Sequence, residues 1–364
     1  MTEEPTAPQL TWPDLLGLIA DQRDLSAEQT AWAMRQVMTG HASPAVLGGM
    51  LLGLAAKGET TAELAGIAEE MLAHAEPFRA DGTGAVDVVG TGGDRMNTVN
   101  VSTMASLVVA GAGLGVVKHG NRAASSTSGS ADVLEALGVS LDLPAARVAE
   151  VYQRAGITFC FAMVFHPSFR HAGPVRKELG VGTIFNLLGP LTNPGRPRAT
   201  AIGVARHRAM PLVAGVLARR GTSALVFRGR NGLDELSATA VNDVIEVREG
   251  KLEAHSLDAV ADLGLRATTV DALRGSDAGA NADIARRVLH GEGAGSPTAL
   301  TPVRETVLLN AAAALVAHGT LPGTGAGHGD LTARLRAGLA LAAEAVDSGA
   351  AQARLEAWVT ATQD

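Results

Sequence analysis

Three stretches of this 364-residue chain concentrate residue types that bind anions or hard cations. The first, Gly90-Thr91-Gly92-Gly93-Asp94, follows the β-branched run Val86-Asp87-Val88-Val89 and leads through Asn97-Thr98-Val99-Asn100-Val101-Ser102-Thr103 into an apolar helical stretch. A glycine turn between a strand and a polar helix start suits a phosphate, because free backbone N–H groups and the positive end of the helix dipole point the same way. It matches neither common phosphate signature. Arg95 stands at the last glycine of G-x-G-x-x-G, and no Gly-Lys-Ser/Thr follows as a P-loop requires. An ordinary strand-to-helix turn would carry the same residues. The second stretch is Lys118-His119-Gly120-Asn121-Arg122, continued by Ala123-Ala124-Ser125-Ser126-Thr127-Ser128-Gly129-Ser130. Its two cations would neutralise phosphate charge, its hydroxyls would donate hydrogen bonds, and glycine lets the backbone approach. The third is Asp234-Glu235 within Gly232-Leu233-Asp234-Glu235-Leu236. Adjacent carboxylates suit Mg²⁺ held against a phosphorylated substrate, and they suit a helix cap equally well.

These residues need a scaffold, and the apolar pattern predicts one. Residues 1–80 read as four short amphipathic helices: Thr11 with Pro13 opens the first, and Ser26 with Gln29 boxes the second. Ser43-Pro44 opens the third, and Thr60 with Glu63 opens the fourth. The buried stripes are expected at Leu15, Leu16 and Ile19, then at Ala31, Met34, Val37 and Met38, and so on at helical spacing. From Val86 onward, Val86-Asp87-Val88-Val89, Gly115-Val116-Val117, Ala201-Ile202-Gly203-Val204 and Ala224-Leu225-Val226-Phe227 read as buried strands. They alternate with helical stretches such as 131–137 and 210–219. Residues 243–247 and 251–255 read as a hairpin through Glu249-Gly250, and 303–318 and 331–347 as helices. The expected fold is α/β: a small N-terminal helical domain (1–80) plus a larger α/β domain (81–364) with a mostly parallel central sheet flanked by helices. Each of the three polar stretches then lies at a strand's carboxyl end, where open α/β sheets bind ligands.

Composition narrows the functional classes. With 46% hydrophobic but only 3% aromatic residues, the core must be Ala, Val, Leu and Ile, which suits helices packed closely on a sheet. A net charge of −7 argues against a nucleic-acid coat. The single cysteine, Cys160, excludes a disulfide framework and a multi-thiolate zinc site; within Ile157-Thr158-Phe159-Cys160-Phe161 it reads as a core residue rather than a nucleophile. The opening MTEEPTAPQL is acidic with no basic residue before Arg23, unlike a signal peptide, and the apolar run 104–117 is broken by three glycines and too short to span a membrane. The expectation is a cytoplasmic protein without membrane or nucleic-acid partners.

In combination the three stretches resemble the anthranilate phosphoribosyltransferase family, the tryptophan-pathway branch of the nucleoside-phosphorylase-like phosphoribosyltransferases. The likeness runs over nearly the whole chain. It rests on Gly90-Thr91-Gly92-Gly93-Asp94, Asn100-Val101-Ser102-Thr103, residues 118–126, Phe185-Asn186-Leu187-Leu188-Gly189-Pro190-Leu191-Thr192-Asn193-Pro194, and Asp234-Glu235. The resemblance implies Mg²⁺-dependent transfer of the phosphoribosyl group from 5-phosphoribosyl 1-diphosphate to the amino nitrogen of anthranilate. Gly90, Gly93, Asp94, Thr98, Asn100, Val101, Ser102, Thr103, Lys118, His119, Gly120, Asn121, Arg122, Ala123, Ala124, Ser125, Ser126 and Ser130 would surround the diphosphate substrate. Ser102, Asp234 and Glu235 would serve Mg²⁺, two ions per site, with Lys118 or Arg122 supporting phosphate charge in the transition state. Gly90, His119, Asn121 and Arg176 would contact anthranilate, the guanidinium pairing with its carboxylate. His166 belongs to the same family segment, either as a structural histidine or as a direct participant.

The resemblance further implies a homodimer through the helical domain, which residues 172–200 would rejoin. Two positions depart from the common pattern: Arg95 stands where many relatives have glycine, and Phe169 where some have tyrosine. Two rival readings are a pyrimidine-nucleoside phosphorylase and a non-catalytic nucleic-acid-binding relative. The first would want a Lys-His-Ser-Thr-Gly-Gly loop where this chain has Val89-Gly90-Thr91-Gly92-Gly93, and the second a broad basic surface.

Overall fold

Side-chain caps start the first four helices. Thr11, Ser26, Ser43 and Thr60 each hold extended backbone and accept the N–H three residues ahead. Asp14, Gln29 and Glu63 reach back to complete three capping boxes. The computed structural model describes residues 10–80, 84–123 and 127–364. The chain runs through α1 (Trp12–Ala20), α2 (Ala27–Met38), α3 (Pro44–Lys57) and α4 (Thr61–Ala73), then β1 (Val86–Gly90), α5 (Val101–Gly111) and β2 (Val116–Gly120). Next come α6 (Ser130–Ala136), α7 (Ala145–Ala155), β3 (Ile157–Phe161), α8 (Ala162–Phe165), α9 (Gly173–Leu179), β4 (Ala199–Gly203) and α10 (Met210–Arg220). The remainder is β5 (Ser223–Gly229), the hairpin β6 (Asn242–Arg248) and β7 (Lys251–Leu257), then α11 (Ala278–Leu289), α12 (Thr301–His318), α13 (Leu331–Asp347) and α14 (Ala350–Gln363).

The helical unit draws on Met1–Ala75 and His166–Leu188; residues 189–200, expected to rejoin it, lie in the other unit. Its tightest seam joins α2 and α4: a Cβ at Gly66 would lie 2.1 Å from the Ala27 carbonyl oxygen. Glu63 is fully buried there because its carboxylate is used three times. It accepts the N–H of Leu25 at 2.8 Å and of Thr60 at 2.8 Å, and pairs with Lys57 at 3.2 Å. On α2 the buried face is Thr30, Ala33, Met34, Val37 and Met38, with Ala31 only half-buried.

The second unit, Glu76–Phe165 with Gly189–Asp364, holds a seven-stranded sheet in the order β3-β2-β1-β4-β5-β6-β7. The first five are parallel and the last two antiparallel. Strand β3 was not among the sequence-predicted strands; its run Ile157-Thr158-Phe159-Cys160-Phe161 is buried throughout, with Cys160 a core residue. The core is aliphatic, as the composition required. Helix α12 is buried from Val307 to Ala317, and its small side chains allow close approach: a Cβ on Gly338 of α13 would sit 3.1 Å from Ala312.

The order 3-2-1-4-5 places a topological switch beside β1, whose successor β2 lies on one side while β4 lies on the other. There Gly90 and Gly203 are register partners at the carboxyl ends of β1 and β4. The Asp234 backbone crosses directly over them: a Cβ on Gly203 would lie 1.6 Å from the Asp234 carbonyl oxygen. Gly203→Ala is therefore expected to destabilise the fold at or above the ~1–3 kcal/mol typical of overpacking, read as a lowered denaturation midpoint. An unchanged midpoint would contradict this packing.

Candidate active site

The glycine turn after β1 is held from the opposite side of the switch. Thr91 N–H donates to Gly203 O at 2.9 Å, and Gly92 N–H donates to Asp234 Oδ2 at 2.8 Å. Gly92 and Gly93 have positive φ, as do Arg95 (62°) and Asn97 (50°). Arg95 thus occupies a left-handed position that favours glycine. The Asp94 carboxylate accepts the Met96 N–H at 3.1 Å, tightening the turn. The Asp234-Glu235 segment is anchored from beneath by Asn310 of α12, whose amide accepts from Leu236 N–H at 3.2 Å and donates to Leu236 O at 2.8 Å.

On the other side of β1 the ladder is short. Strand β1 pairs with β2 at Val86 opposite Val116 alone, whereas the β1–β4, β2–β3 and β4–β5 pairings each run five residues. Side chains fill the remainder. Lys118, only 1% exposed, donates from Nζ to Val88 O at 2.5 Å and to Ser102 Oγ at 3.2 Å. Asp87, equally buried, accepts His119 N–H at 3.3 Å and the Asn193 amide at 2.8 Å. Burial pushes the Asp87 carboxyl up to about 6, moderated by Lys118 and Asn193. Burial also lowers the Lys118 ammonium, while Asp87 and Glu235 oppose the shift. His119 Nδ1 lies 2.8 Å from Gly189 O.

The loop after β2 folds on itself. Asp132 of α6 accepts N–H groups from Ala123 at 3.1 Å and Gly129 at 2.8 Å, and it pairs with Arg122 at 3.1 Å. Arg122, nearly half exposed, also pairs with Glu135 at 2.5 Å and lies over the Phe161 ring at 5.5 Å. Asn121 accepts the Arg122 N–H, and Ser130 donates to Asn121 O. Ala124, Ser125 and Ser126 lie outside the described residues.

The start of α5 is tied to the same loop. Asn100 makes no side-chain cap; its amide donates to Ser128 O at 3.2 Å and accepts from Asn281 of α11 at 2.9 Å. Thr98 bridges to Arg274. Val101 and Thr103 point into the core, and their N–H groups already bond to Val99 O and Asn100 O. The structure thus brings Gly90, Gly93, Asp94, Ser102, Lys118, His119, Gly120, Asp234 and Glu235 to the carboxyl ends of β1, β2, β4 and β5.

Three carboxyl groups crowd this end of the sheet. Asp234 is pushed up to about 7, first by burial and then by the charge of Asp94, whose carboxyl is near enough to hydrogen-bond with it. Two carboxylates can do that only with a proton or a cation between them. Glu235 is raised as well, by burial and by Asp234 and Asp94, with Lys118 opposing. Among the described residues no group of three or more His, Cys, Asp or Glu side chains forms a ready metal shell. Mg²⁺ does not need one, since it commonly takes one or two carboxylates and completes its shell with water and substrate phosphates. Hard oxygen donors lacking positive charge fit that ion. Ser102 Oγ, here the acceptor for Lys118, retains a second lone pair.

Arg176 belongs to the helical unit, on α9. Its guanidinium lies over the Phe169 ring at 5.2 Å, forms no ion pair among the described residues, and is lowered by desolvation. His166 is buried at the start of the unit's second segment. Sequence reasoning missed Asp87, Asn281 and Asn310 as site supports. Asp87 and Asn310 carried a signal, a polar residue inside an otherwise apolar run; Asn281, in a mixed helix, carried none.

Residues 13–75 match the helical bundle domain of the glycosyl transferase family, and residues 82–352 match its a/b domain. An anthranilate phosphoribosyltransferase from Arthrobacter sp. (strain FB24) is 55% identical over 353 residues, 97% of this chain and 96% of the relative. The crystal structure of anthranilate phosphoribosyltransferase from Thermus thermophilus superposes with a TM-score of 0.87 at 41% identity, covering 96% of this chain and 100% of that one. The Saccharomyces cerevisiae anthranilate phosphoribosyltransferase in complex with PRPP and Mg gives 0.84 at 25% identity, covering 97% and 99%.

The carboxyl cluster makes stability depend on pH. An unfolded Asp releases its proton near 3.8, whereas native Asp234 keeps one to about 7. The native state therefore binds more protons across that window, and its stability falls as pH rises from about 4 to about 7. In metal-free protein, Asp234→Asn should make this fall shallower and raise the denaturation midpoint at pH 8. A fall as steep as wild type would count against the crowded carboxyl geometry.

Proposed function

The chain belongs to the glycosyl transferase family that contains the anthranilate phosphoribosyltransferases, and we propose that it transfers the phosphoribosyl group of 5-phosphoribosyl 1-diphosphate to the amino nitrogen of anthranilate. The products are N-(5-phosphoribosyl)anthranilate and diphosphate, in tryptophan biosynthesis. The observation that carries this reading is the meeting of opposite chemistries at the switch point. Asp234 binds the glycine turn through Gly92 N–H, and Lys118 lies on Ser102 at the start of α5.

The C1–O bond to diphosphate breaks as the amine approaches C1, so negative charge grows on the leaving oxygens and positive charge on the ribosyl carbon. Lys118 and the Gly93 and Asp94 N–H groups, which the turn does not itself use, oppose the first charge. Magnesium, when bound with the diphosphate, supplies further positive charge against the leaving group. Asp234, Glu235 and Ser102 would hold it, and we take the number as two ions per site. Arg122 would assist the phosphates only by leaving Asp132 and Glu135, which hold it in this structure. No nucleophile–base pair is needed: diphosphate leaves readily, the proton shed by the amine passes to the departing diphosphate or to water, and the rest of the barrier is met by holding the amine in line.

For anthranilate we assign Arg176 to the carboxylate, with Gly90, His119 and Asn121 as further contacts. A desolvated guanidinium with no ion pair among the described residues, resting on an aromatic ring, suits a planar benzoate. Phe169 supplies that ring but no hydroxyl. Leu52 and Val181, both exposed on the helical unit, support a homodimer formed there. No helix among the described residues is long and apolar enough to cross a membrane, and we place the enzyme in the cytoplasm. Neither a nucleoside phosphorylase nor a nucleic-acid-binding relative is favoured.

Mixing the protein with Mg²⁺, anthranilate and 5-phosphoribosyl 1-diphosphate should quench anthranilate fluorescence with time. Well-folded protein that leaves the fluorescence unchanged would overturn the reading. Asp234→Ala should lower turnover by at least about a hundredfold. Near-normal activity of that variant at limiting Mg²⁺ would remove the assigned metal role.

A further inference from the structure

We propose that Asp87 and Asn193 are positioning residues for Lys118, acting across the gap between β1 and β2 to present its ammonium to the anionic substrate. The inference rests on the phosphoribosyl transfer proposed above. In a continuous parallel ladder, the N–H and C=O groups facing a neighbour are used by that neighbour's backbone. Here pairing stops after Val86 opposite Val116, and three side chains take over. Lys118 Nζ serves Val88 O, Asp87 Oδ1 serves His119 N–H, and Asn193 Nδ2 serves both Asp87 Oδ2 at 2.8 Å and Val117 O at 2.7 Å. An ammonium has three N–H donors. Val88 O and Ser102 Oγ take two of them, and among the described residues nothing takes the third, which we assign to a substrate oxygen.

The geometry permits little substitution. Gly195 N–H donates to Asn193 Oδ1 at 2.9 Å, which fixes the amide so that its NH₂ faces Asp87. The turn carrying that N–H lies on β2: a Cβ on Gly195 would come within 2.6 Å of Val117 Cγ1. An asparagine at position 87 would keep the size of Asp87 but offer one acceptor to two donors, so either His119 N–H or the Asn193 amide loses its partner. The strand end that carries Lys118 would then shift, and the buried ammonium would lose one of the two carboxylates that oppose the cost of its burial.

The test uses the full chain with Asp87→Asn, Lys118→Gln and the double variant. Measured are kcat, KM for each substrate, thermal midpoint, and calorimetric binding of magnesium diphosphate. Asp87→Asn should raise KM for 5-phosphoribosyl 1-diphosphate and weaken magnesium diphosphate binding about tenfold, the effect of a lost charged hydrogen bond. KM for anthranilate should change less than KM for 5-phosphoribosyl 1-diphosphate, because its assigned carboxylate contact, Arg176, is not carried on this strand end. The double variant should be no worse than Lys118→Gln alone, because Asp87 acts through that lysine. Defects that multiply in the double variant, or a lowered midpoint with unchanged KM, would overturn the proposal. If Asp87→Asn does not fold, Asn193→Ser, which cannot serve both Asp87 and Val117 O, carries the same expectations. If wild type binds magnesium diphosphate but turns nothing over, while Asp87→Asn weakens that binding, the functional reading falls and the positioning role stands.

Discussion

A buried backbone carbonyl or N–H left without a partner costs about 1–3 kcal/mol, and the carboxyl end of β1 would present several of them. The strand has a full ladder with β4 on one side and almost none with β2 on the other. Asp234, Lys118 and Asp87 stand where that deficit is made good. On the β4 side, facing glycines let the Asp234 segment cross over the strand ends, so the carboxylate reaches the Gly92 N–H. On the β2 side, Lys118 replaces a missing backbone donor. The site exists because the sheet is incomplete there.

Completing a sheet with charged side chains requires those charges to be matched away from water. The surrounding core is aliphatic and offers no hydrogen bonds. The polar groups therefore satisfy one another in chains: Asn310 to Leu236, Asn281 to Asn100 to Ser128, Asn193 to Asp87 to His119. Amides are well suited to the work, because each can donate and accept without adding charge. The carboxyl cluster of Asp94, Asp234 and Glu235 is the exception. Burial and mutual repulsion raise Asp234 and Glu235, with Lys118 opposing at Glu235, and a divalent cation carried with a diphosphate would relieve that crowding.

The features legible in the sequence were the local ones. Thr11, Ser26 and Thr60 cap helices through contacts spanning three residues, so spacing alone identifies them. The parallel strands showed as β-branched runs followed by glycine or charged turns. Strand β3 did not, because a five-residue apolar run reads equally as strand or buried segment. The helical unit's return near His166 was placed too late, since no composition change marks it. In the site, Lys118 and Asp234 were visible by type and position. What Lys118 bonds to was not, because Val88 O lies 30 residues away and its pairing depends on where the ladder stops. Arg122 was visible as a cation, but its commitment to Asp132 and Glu135 depends on how the loop folds back.

The divided helical unit has a consequence for how the chain acquires its structure during synthesis. Its first segment ends at Ala75, and its second begins only at His166, about 90 residues later. At ribosomal speeds of about 5–20 residues per second, the first four helices emerge roughly 5–20 s before the segment that completes their bundle. Strands β1 to β3 appear in that interval. The capping boxes of α1, α2 and α4 use only residues within the first segment, so their contribution to helix formation does not wait for the second.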